Sequence, residues 1–398
     1  MSRSETSPES RPGQTAGRTA ALAVAAGVSV AGIYYNQPVL GLLGAQFGAD
    51  ARALSSIPVL TQIGYAAGLL LLLPLGDRLE RRSLILAMMA ALALTLAGST
   101  LAPSLRWLAG LSFLVGVFAS VTQQLVPLSV LLTAPERRGH AVGTVTGGIL
   151  AGILLARTLS GAVSERFGWP AMYLGAAAAV LAVAGGLALG LPRVAPATRT
   201  SYPRLLGSLW RLLHSYPVLR QAALVQALLF GAYMAVWADL ALVLQDDYRL
   251  GSTIAGLFGL AGLSGALAAP LAGRLVNRLG PNRLAAGGAL LAVTSFLLMG
   301  LTRGSLPALG LAMALLDLGV WVAQVANLCR VYALDAKAQS RLNTVLMTSM
   351  FAGGALGSAL GGTAYARGGW PAVCLSGALA AGAAALVALT GTRRRGAG

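Results

Sequence analysis

The chain has 398 residues, 56% of them apolar and only 10% charged. Soluble domains carry roughly 25% charged residues, so this composition cannot cover a water-soluble body of this size. The formal net charge of +17 invites a nucleic-acid reading, which the placement of the arginines argues against below.

Residues 1–17 are polar and rich in Ser, Thr, Gly and Pro, and are expected to form a disordered tail. Twelve apolar runs follow, near 18–45, 54–75, 83–102, 106–132, 140–164 and 170–191, then 218–245, 253–273, 283–302, 306–332, 342–366 and 370–391. Each is about 20 residues, long enough to cross a hydrocarbon core roughly 30 Å thick. The runs are unbroken rather than alternating, so helices are expected, because the backbone in lipid must bond within itself. The polar stretch 192–217 reads as a linker between two bundles, 18–191 and 218–391. Residues 392–398 read as a basic tail.

With the amino terminus inside, most of the 29 Lys and Arg fall on one side. They include Arg78, Arg81, Arg82, Arg137, Arg138, Arg193, Arg199, Arg204, Arg274, Arg278 and Arg393. The other side holds single arginines such as Arg52, Arg106, Arg303 and Arg367. That is the positive-inside bias of a membrane protein with both termini cytoplasmic, and it replaces the nucleic-acid reading. No cleavable signal peptide is expected, since the first run is too long and too late. Cys329 and Cys374 lie inside apolar runs, and His140 and His214 form no cluster. No metal and no disulfide is expected from such spacings. No Walker loop occurs, so ATP drive within the chain is not expected; no cofactor is expected, and a proton gradient is taken as the energy source.

The two bundles repeat. Arg166-Phe167-Gly168-Trp169-Pro170 returns as Arg367-Gly368-Gly369-Trp370-Pro371. Pro74-Leu75-Gly76-Asp77-Arg78-Leu79 returns as Pro270-Leu271-Ala272-Gly273-Arg274-Leu275, and Gly116-Val117-Phe118 as Gly319-Val320-Trp321. Duplicated halves in so apolar a chain suggest alternating access about a central site. The fifth run carries Gly148, Gly152, Ala156 and Ser160, and the eleventh Gly353, Gly357 and Gly361. Small residues every fourth position either pack helices closely or form the surfaces on which the halves rock.

Twelve spans, a six-plus-six repeat and a basic central loop resemble the major facilitator superfamily. The local sign is Gly76-Asp77-Arg78-Leu79-Glu80-Arg81-Arg82, similar to that family's G-x-x-x-D-R-x-G-R-R loop. Leu73 and Glu80 stand where its two glycines would be. The resemblance implies an all-α membrane fold of two six-helix bundles, working as a monomer. It also implies a cytoplasmic latch of Asp77, Arg78, Arg81 and Arg82 in the outward-open state. Tyr34-Tyr35-Asn36-Gln37-Pro38, Gly64-Tyr65, Leu316-Asp317-Leu318-Gly319 and Arg341-Leu342-Asn343-Thr344 look like a bacterial branch of efflux permeases grouped with sugar and drug exporters. Antiporter motifs match poorly: Ser112 stands where an arginine would be, and the fifth span lacks a Gly-Pro pair.

Charges inside a bilayer are functional candidates by default. Asp317 shares a helix face with Trp321 and Gln324, and it can load and release a proton. Asp239 either faces the cavity as a second proton carrier or reaches the far surface. Arg157 binds an anionic substrate, neutralises Asp317 or Asp239, or snorkels to the interface. Tyr34 and Gln37 are assigned to the cavity and Asn36 to helix–helix bonding, with Pro38 bending the span. Gln123 or Gln124 lines the cavity, and Gln124 aligns with Asn327 across the repeat. Tyr233, Trp237 and Phe351 form an aromatic wall or ordinary core. No nucleophile–base pair suggests an enzyme. The expectation is a secondary transporter exporting a small molecule by proton antiport. An uptake permease or uniporter of the same fold is the alternative.

Overall fold

A computed structural model describes residues 12–194, 201–302, 304–335 and 338–393. Side chains of 12–16, 266–271 and 391–393 are outside the description, as are Arg199, Arg303 and most of the basic tail. The described residues are almost entirely helical. In the first half α1 is Pro12–Ala31, α2 Leu40–Phe47, α3 Ala51–Leu54, α4 Ser56–Leu71, α5 Arg81–Ser99, α6 Leu105–Ala119, α7 Thr122–Leu131, α8 Arg138–Phe167 and α9 Trp169–Gly190. Then come α10 Tyr202–Ser215, α11 Pro217–Asp246, α12 Ser252–Leu257, α13 Gly262–Leu279, α14 Pro281–Leu301, α15 Leu306–Tyr332 and α16 Gln339–Arg393.

Nine stretches among the described residues are long and apolar enough to cross a membrane. The last of them holds two spans, because α16 turns at Gly369 (φ 61°). Two further spans are interrupted: the first between α1 and α2, the eighth between α12 and α13. The twelve runs of the sequence are thus accounted for. Two stretches hold helices that the sequence reading did not place. Helix α1 begins at Pro12, inside the stretch expected to be disordered. The stretch read as linker carries α10, a strongly amphipathic helix whose Leu209 is buried while Trp210 is exposed. The Tyr202 hydroxyl donates to the Leu71 carbonyl at 2.7 Å, tying α10 to the end of α4.

The repeated R-x-G-W-P phrases have a common cause. Gly168 (φ 83°) and Gly369 adopt the positive φ that favours glycine, so the chain reverses and the next span starts at once. Trp169 and Trp370 are both buried at the start of that span. Pro170 and Pro371 sit in its first turn, where a missing N–H costs nothing.

The glycine stripes hold each half together rather than forming the surface between halves. A side chain on Gly152 would strike the carbonyl of Gly27, and one on Gly357 the carbonyl of Gly231. So α1 meets α8 backbone to backbone, and α11 meets α16 in the same way. This close approach substitutes for hydrophobic driving force, which lipid does not supply between helices. Glycine contacts between halves lie further along, at the end opposite the chain termini. There Gly161 of α8 lies against Ser252, and Gly362 of α16 against Ser55. The Ser252 hydroxyl donates to the Gly161 carbonyl at 3.1 Å.

Candidate functional site

The first span breaks in the middle. Helix α1 stops at Ala31, residues 32–36 turn, and a short 3-10 helix runs Gln37–Val39 before α2. Pro38 in that 3-10 turn has no N–H to continue an α-helix. The Tyr35 carbonyl accepts the Ser160 hydroxyl of α8 at 2.6 Å. Irregular backbone at membrane depth survives when protein satisfies it in this way. Asn36 points to α4, its amide donating to the Thr61 hydroxyl at 3.0 Å.

Gln37 points the other way, to Arg157 of α8. The Arg157 Nε donates to Gln37 Oε1 at 2.9 Å. Nη1 donates to the Tyr233 hydroxyl of α11 at 3.2 Å, and that hydroxyl donates to Asp317 Oδ1 of α15 at 3.1 Å. The guanidinium carbon lies 3.6 Å from the Trp237 ring centre and 4.8 Å from that of Tyr34. Arg157 and Asp317 are each 1% exposed. The arginine therefore does not snorkel. Its charge is held by an amide, a phenol and two aromatic faces, and reaches the carboxylate through one hydroxyl. Cation–π contact of this kind gains strength when desolvated.

Beside this chain of bonds is a cavity of about 280 Å³. Leu150, Ile153 and Leu154 of α8 form one wall, and Leu263 and Trp321 another; Arg157, Tyr233 and Asp317 supply its polar end. Gly259 and Gly262 line it where the eighth span breaks between α12 and α13. A Cβ on Gly259 would come within 2.9 Å of the Arg157 Cβ, so glycine there keeps the arginine in place.

Other candidates lie elsewhere. Asp239 is 1% exposed, so it does not reach the surface; it lies against Gly361 and outside the cavity wall. Gln124 donates to the Leu72 and Leu73 carbonyls at 3.0 and 3.1 Å, satisfying the end of α4 before Pro74. Gln123 donates to the Tyr65 hydroxyl at 3.3 Å. Asn327 donates to Gln226 Oε1 at 3.2 Å, inside the second half, so its partners do not mirror those of Gln124. Gln324 turns toward Met347. Phe351 does join an aromatic column, 4.2 Å from Tyr65 and 5.2 Å from Phe230 between ring centres. That column joins α4 of the first half to α11 and α16 of the second.

Among the described residues, the loop after α4 bonds within the first half. Asp77 pairs with Arg81 at 2.7 Å, and Arg82 donates to the Ala188 carbonyl. Glu80 caps α5, accepting from the Arg82 and Ser83 amides at 2.9 Å and from the Val194 amide at 3.0 Å. Its carboxyl is raised by burial but lowered further by these bonds, and by that from the Ser83 hydroxyl, to about 2. The departure from glycine at this position is therefore a helix cap. Arg78 is exposed. Asp77 also shares a narrow crevice with Ser340, Arg341 and Thr344 at the start of α16.

Glu165 was missed from sequence. It accepts the Thr253 amide at 2.6 Å and the Ser252 hydroxyl at 3.4 Å, so a first-half acid caps second-half α12. One signal was available: Glu165 precedes the repeated R-x-G-W-P, where the second copy has Ala366.

Paired spans, interrupted helices and buried charges beside a cavity define a multi-pass membrane transporter. The model of the Major Facilitator Superfamily matches residues 22–341, and the chain belongs to that family. It is 37% identical over 358 residues to the uncharacterized transporter YgaY of Escherichia coli O157:H7, covering 90% of this chain and 91% of that one. It is 34% identical to the probable transporter SCO4007 of Streptomyces coelicolor, over 89% of this chain and 82% of the other. A 100-residue stretch, 25% of each chain, is 30% identical to the multi-drug resistance efflux pump PmrA of Streptococcus pneumoniae. Among solved structures, a bacterial homologue of the human lysosomal transporter Spinster superposes with a TM-score of 0.77. It is 16% identical, with 96% and 98% of the two chains covered, which is a likeness of fold.

Proposed function

We propose that the chain exports a small molecule by proton antiport, with the two six-helix halves rocking about the Arg157–Tyr233–Asp317 site. The observation that carries this reading is that bonded chain. Arg157 belongs to the first half, while Tyr233 and Asp317 belong to the second. A proton arriving on Asp317 removes the charge that faces Arg157 and weakens the link between halves. A proton leaving restores it. One chemical event therefore biases which side of the site is open, as alternating access requires. Export is favoured over uptake by the stretch similar to PmrA.

On this reading the termini are cytoplasmic, in a bacterial inner membrane, following the positive-inside bias. Glu165 on α12 closes the periplasmic end. Asp77 beside the start of α16 closes the cytoplasmic end, with Arg78 exposed and Arg82 tied to the Ala188 carbonyl. Asp239, outside the cavity, acts on the same equilibrium through α16 as a second proton carrier. The protein works as a monomer.

The test uses purified protein in vesicles with an internal pH dye. Compounds from a thermal-shift screen are added with and without an imposed proton gradient. The expected result is gradient-driven movement with opposite proton flux, lost in Asp317→Asn, while that variant still exchanges compound. Movement that ignores the gradient in both proteins refutes antiport and leaves a uniporter.

A further inference from the structure

Beside the polar end of the cavity lie one buried donor and one buried acceptor atom without a hydrogen-bond partner. Arg157 spends Nε on Gln37 and Nη1 on Tyr233, and its Nη2 is buried with no hydrogen-bond partner. Asp317 accepts from Tyr233 on Oδ1 and has the Trp321 side chain beside its carboxyl, and its Oδ2 is likewise buried without a hydrogen-bond partner. Both residues border the same cavity, beside the same hydroxyl. Unpaired buried charged groups are costly, and such groups beside a cavity are satisfied best by a ligand that brings both complements.

The two charges also cancel. A cation would pair with Asp317 and leave Arg157 unmet; an anion would do the reverse. Either would bring a net charge into a site bounded by Leu150, Ile153, Leu154 and Leu263, where uncompensated charge is expensive. A neutral sugar fits the polar end but not these walls. The cavity, about 280 Å³, is at the small end of ligand sites, which run from roughly 300 Å³ upward.

We infer that this cavity takes a small zwitterion with an apolar side chain, of the α-amino-acid class. Its carboxylate meets Arg157 Nη2, its ammonium meets Asp317 Oδ2, and its side chain lies against Ile153, Leu154 and Leu263. The inference rests on the reading of this cavity as the transport site. It does not rest on proton coupling.

The experiment is equilibrium binding to the purified wild-type protein, without a gradient. Four probes share one side chain: L-leucine, leucinamide as the cation, N-acetyl-leucine as the anion and N-acetyl-leucinamide as the neutral form. L-phenylalanine and its three matched derivatives repeat the set with a larger side chain. The zwitterions are expected to bind about tenfold or more tighter than any single-charge or neutral analogue, the worth of one charged hydrogen bond. Two variants then separate the charges. Arg157→Gln should shift preference toward leucinamide, and Asp317→Asn toward N-acetyl-leucine. A wild-type protein that binds none of the probes, binds all four alike, or prefers the cation or the anion overturns the inference, even if both variants fail to fold. Zwitterion binding with no gradient-driven transport leaves the inference standing and removes the antiport reading. Gradient-driven transport of other compounds with no zwitterion binding does the opposite.

Discussion

The two halves agree in how they are held together and differ in the buried charges and helix breaks they carry. Gly27 meets Gly152 in the first half as Gly231 meets Gly357 in the second. Gly168 and Gly369 turn the chain alike. At the buried charges the match fails. Arg157 follows Gly152 by five residues, and the residue five beyond Gly357 is Gly362, packed on Ser55. Asp317 lies two before Gly319, and two before Gly116 is Leu114, which is 39% exposed. Asp239 lies eight after Gly231, and eight after Gly27 is Tyr35. The interruptions differ too. The first span breaks where its counterpart α11 runs on. The eighth breaks at Phe258, twelve before Pro270, while α4 continues through the residue twelve before Pro74, Gln62. Duplication preserved the scaffold, and charge and backbone breaks appear on one side only.

Breaking the asymmetric part should have the largest effect. Arg157→Met leaves Asp317, Gln37 and Tyr233 without their partner, and loss of one member of a buried charged network costs roughly 3 kcal/mol or more. Thermal unfolding in detergent should fall by several degrees and vesicle transport should vanish. A variant as stable as the wild type would mean the network is not structural.

The scaffold gives the next test. Gly152→Val and Gly357→Val should each cost about 1–3 kcal/mol, because an added side chain strikes a backbone that cannot yield. Similar losses in thermal unfolding would sharpen the comparison. A loss at one glycine only would break it.

Glu165→Ala removes a cap found in the first half only. A lost cap costs roughly 0.5–2 kcal/mol, here drawn from the contact between halves, so thiol labelling of a cysteine placed at Ser55 should speed up. Unchanged labelling would remove Glu165 as a closing contact.

The smallest effect is expected at Glu80. Its carboxyl is lowered from 4.5 to about 2 by the amides it caps. A lowered folded value means the stabilisation is complete above 4.5 and is lost as pH falls toward 2. The melting difference between wild type and Glu80→Gln should be flat from pH 8 to 5 and shrink below 4.5. A difference that changes between pH 8 and 6 would assign the effect to another group.

Much of the site was legible one residue at a time. Asp317 and Arg157 stand out because charge in a twenty-residue apolar run has few benign explanations. Asn36 and Gln37 could be sent to opposite faces by helical periodicity, and they do diverge, though the backbone there is no longer an α-helix. Gln123 and Gln124 could not be told apart, because a polar side chain in an apolar span looks the same whether it faces a cavity or completes a helix end. Only the position of the Leu72 and Leu73 carbonyls separates the two. The glycine stripe was ambiguous for a related reason: spacing shows that a helix is approached closely, and not by which helix.

The sequence by itself determined the membrane setting, the number of spans, the duplication and the residues that pay a burial cost, because these follow from local polarity and its period. Tertiary structure alone decided that Arg157 reaches Asp317 through Tyr233, that Asp239 stands apart, and that Glu165 bridges the halves. Those pairings join residues tens to more than a hundred positions apart, and which of them meet depends on how the helices cross, a property of packing that no single helix carries.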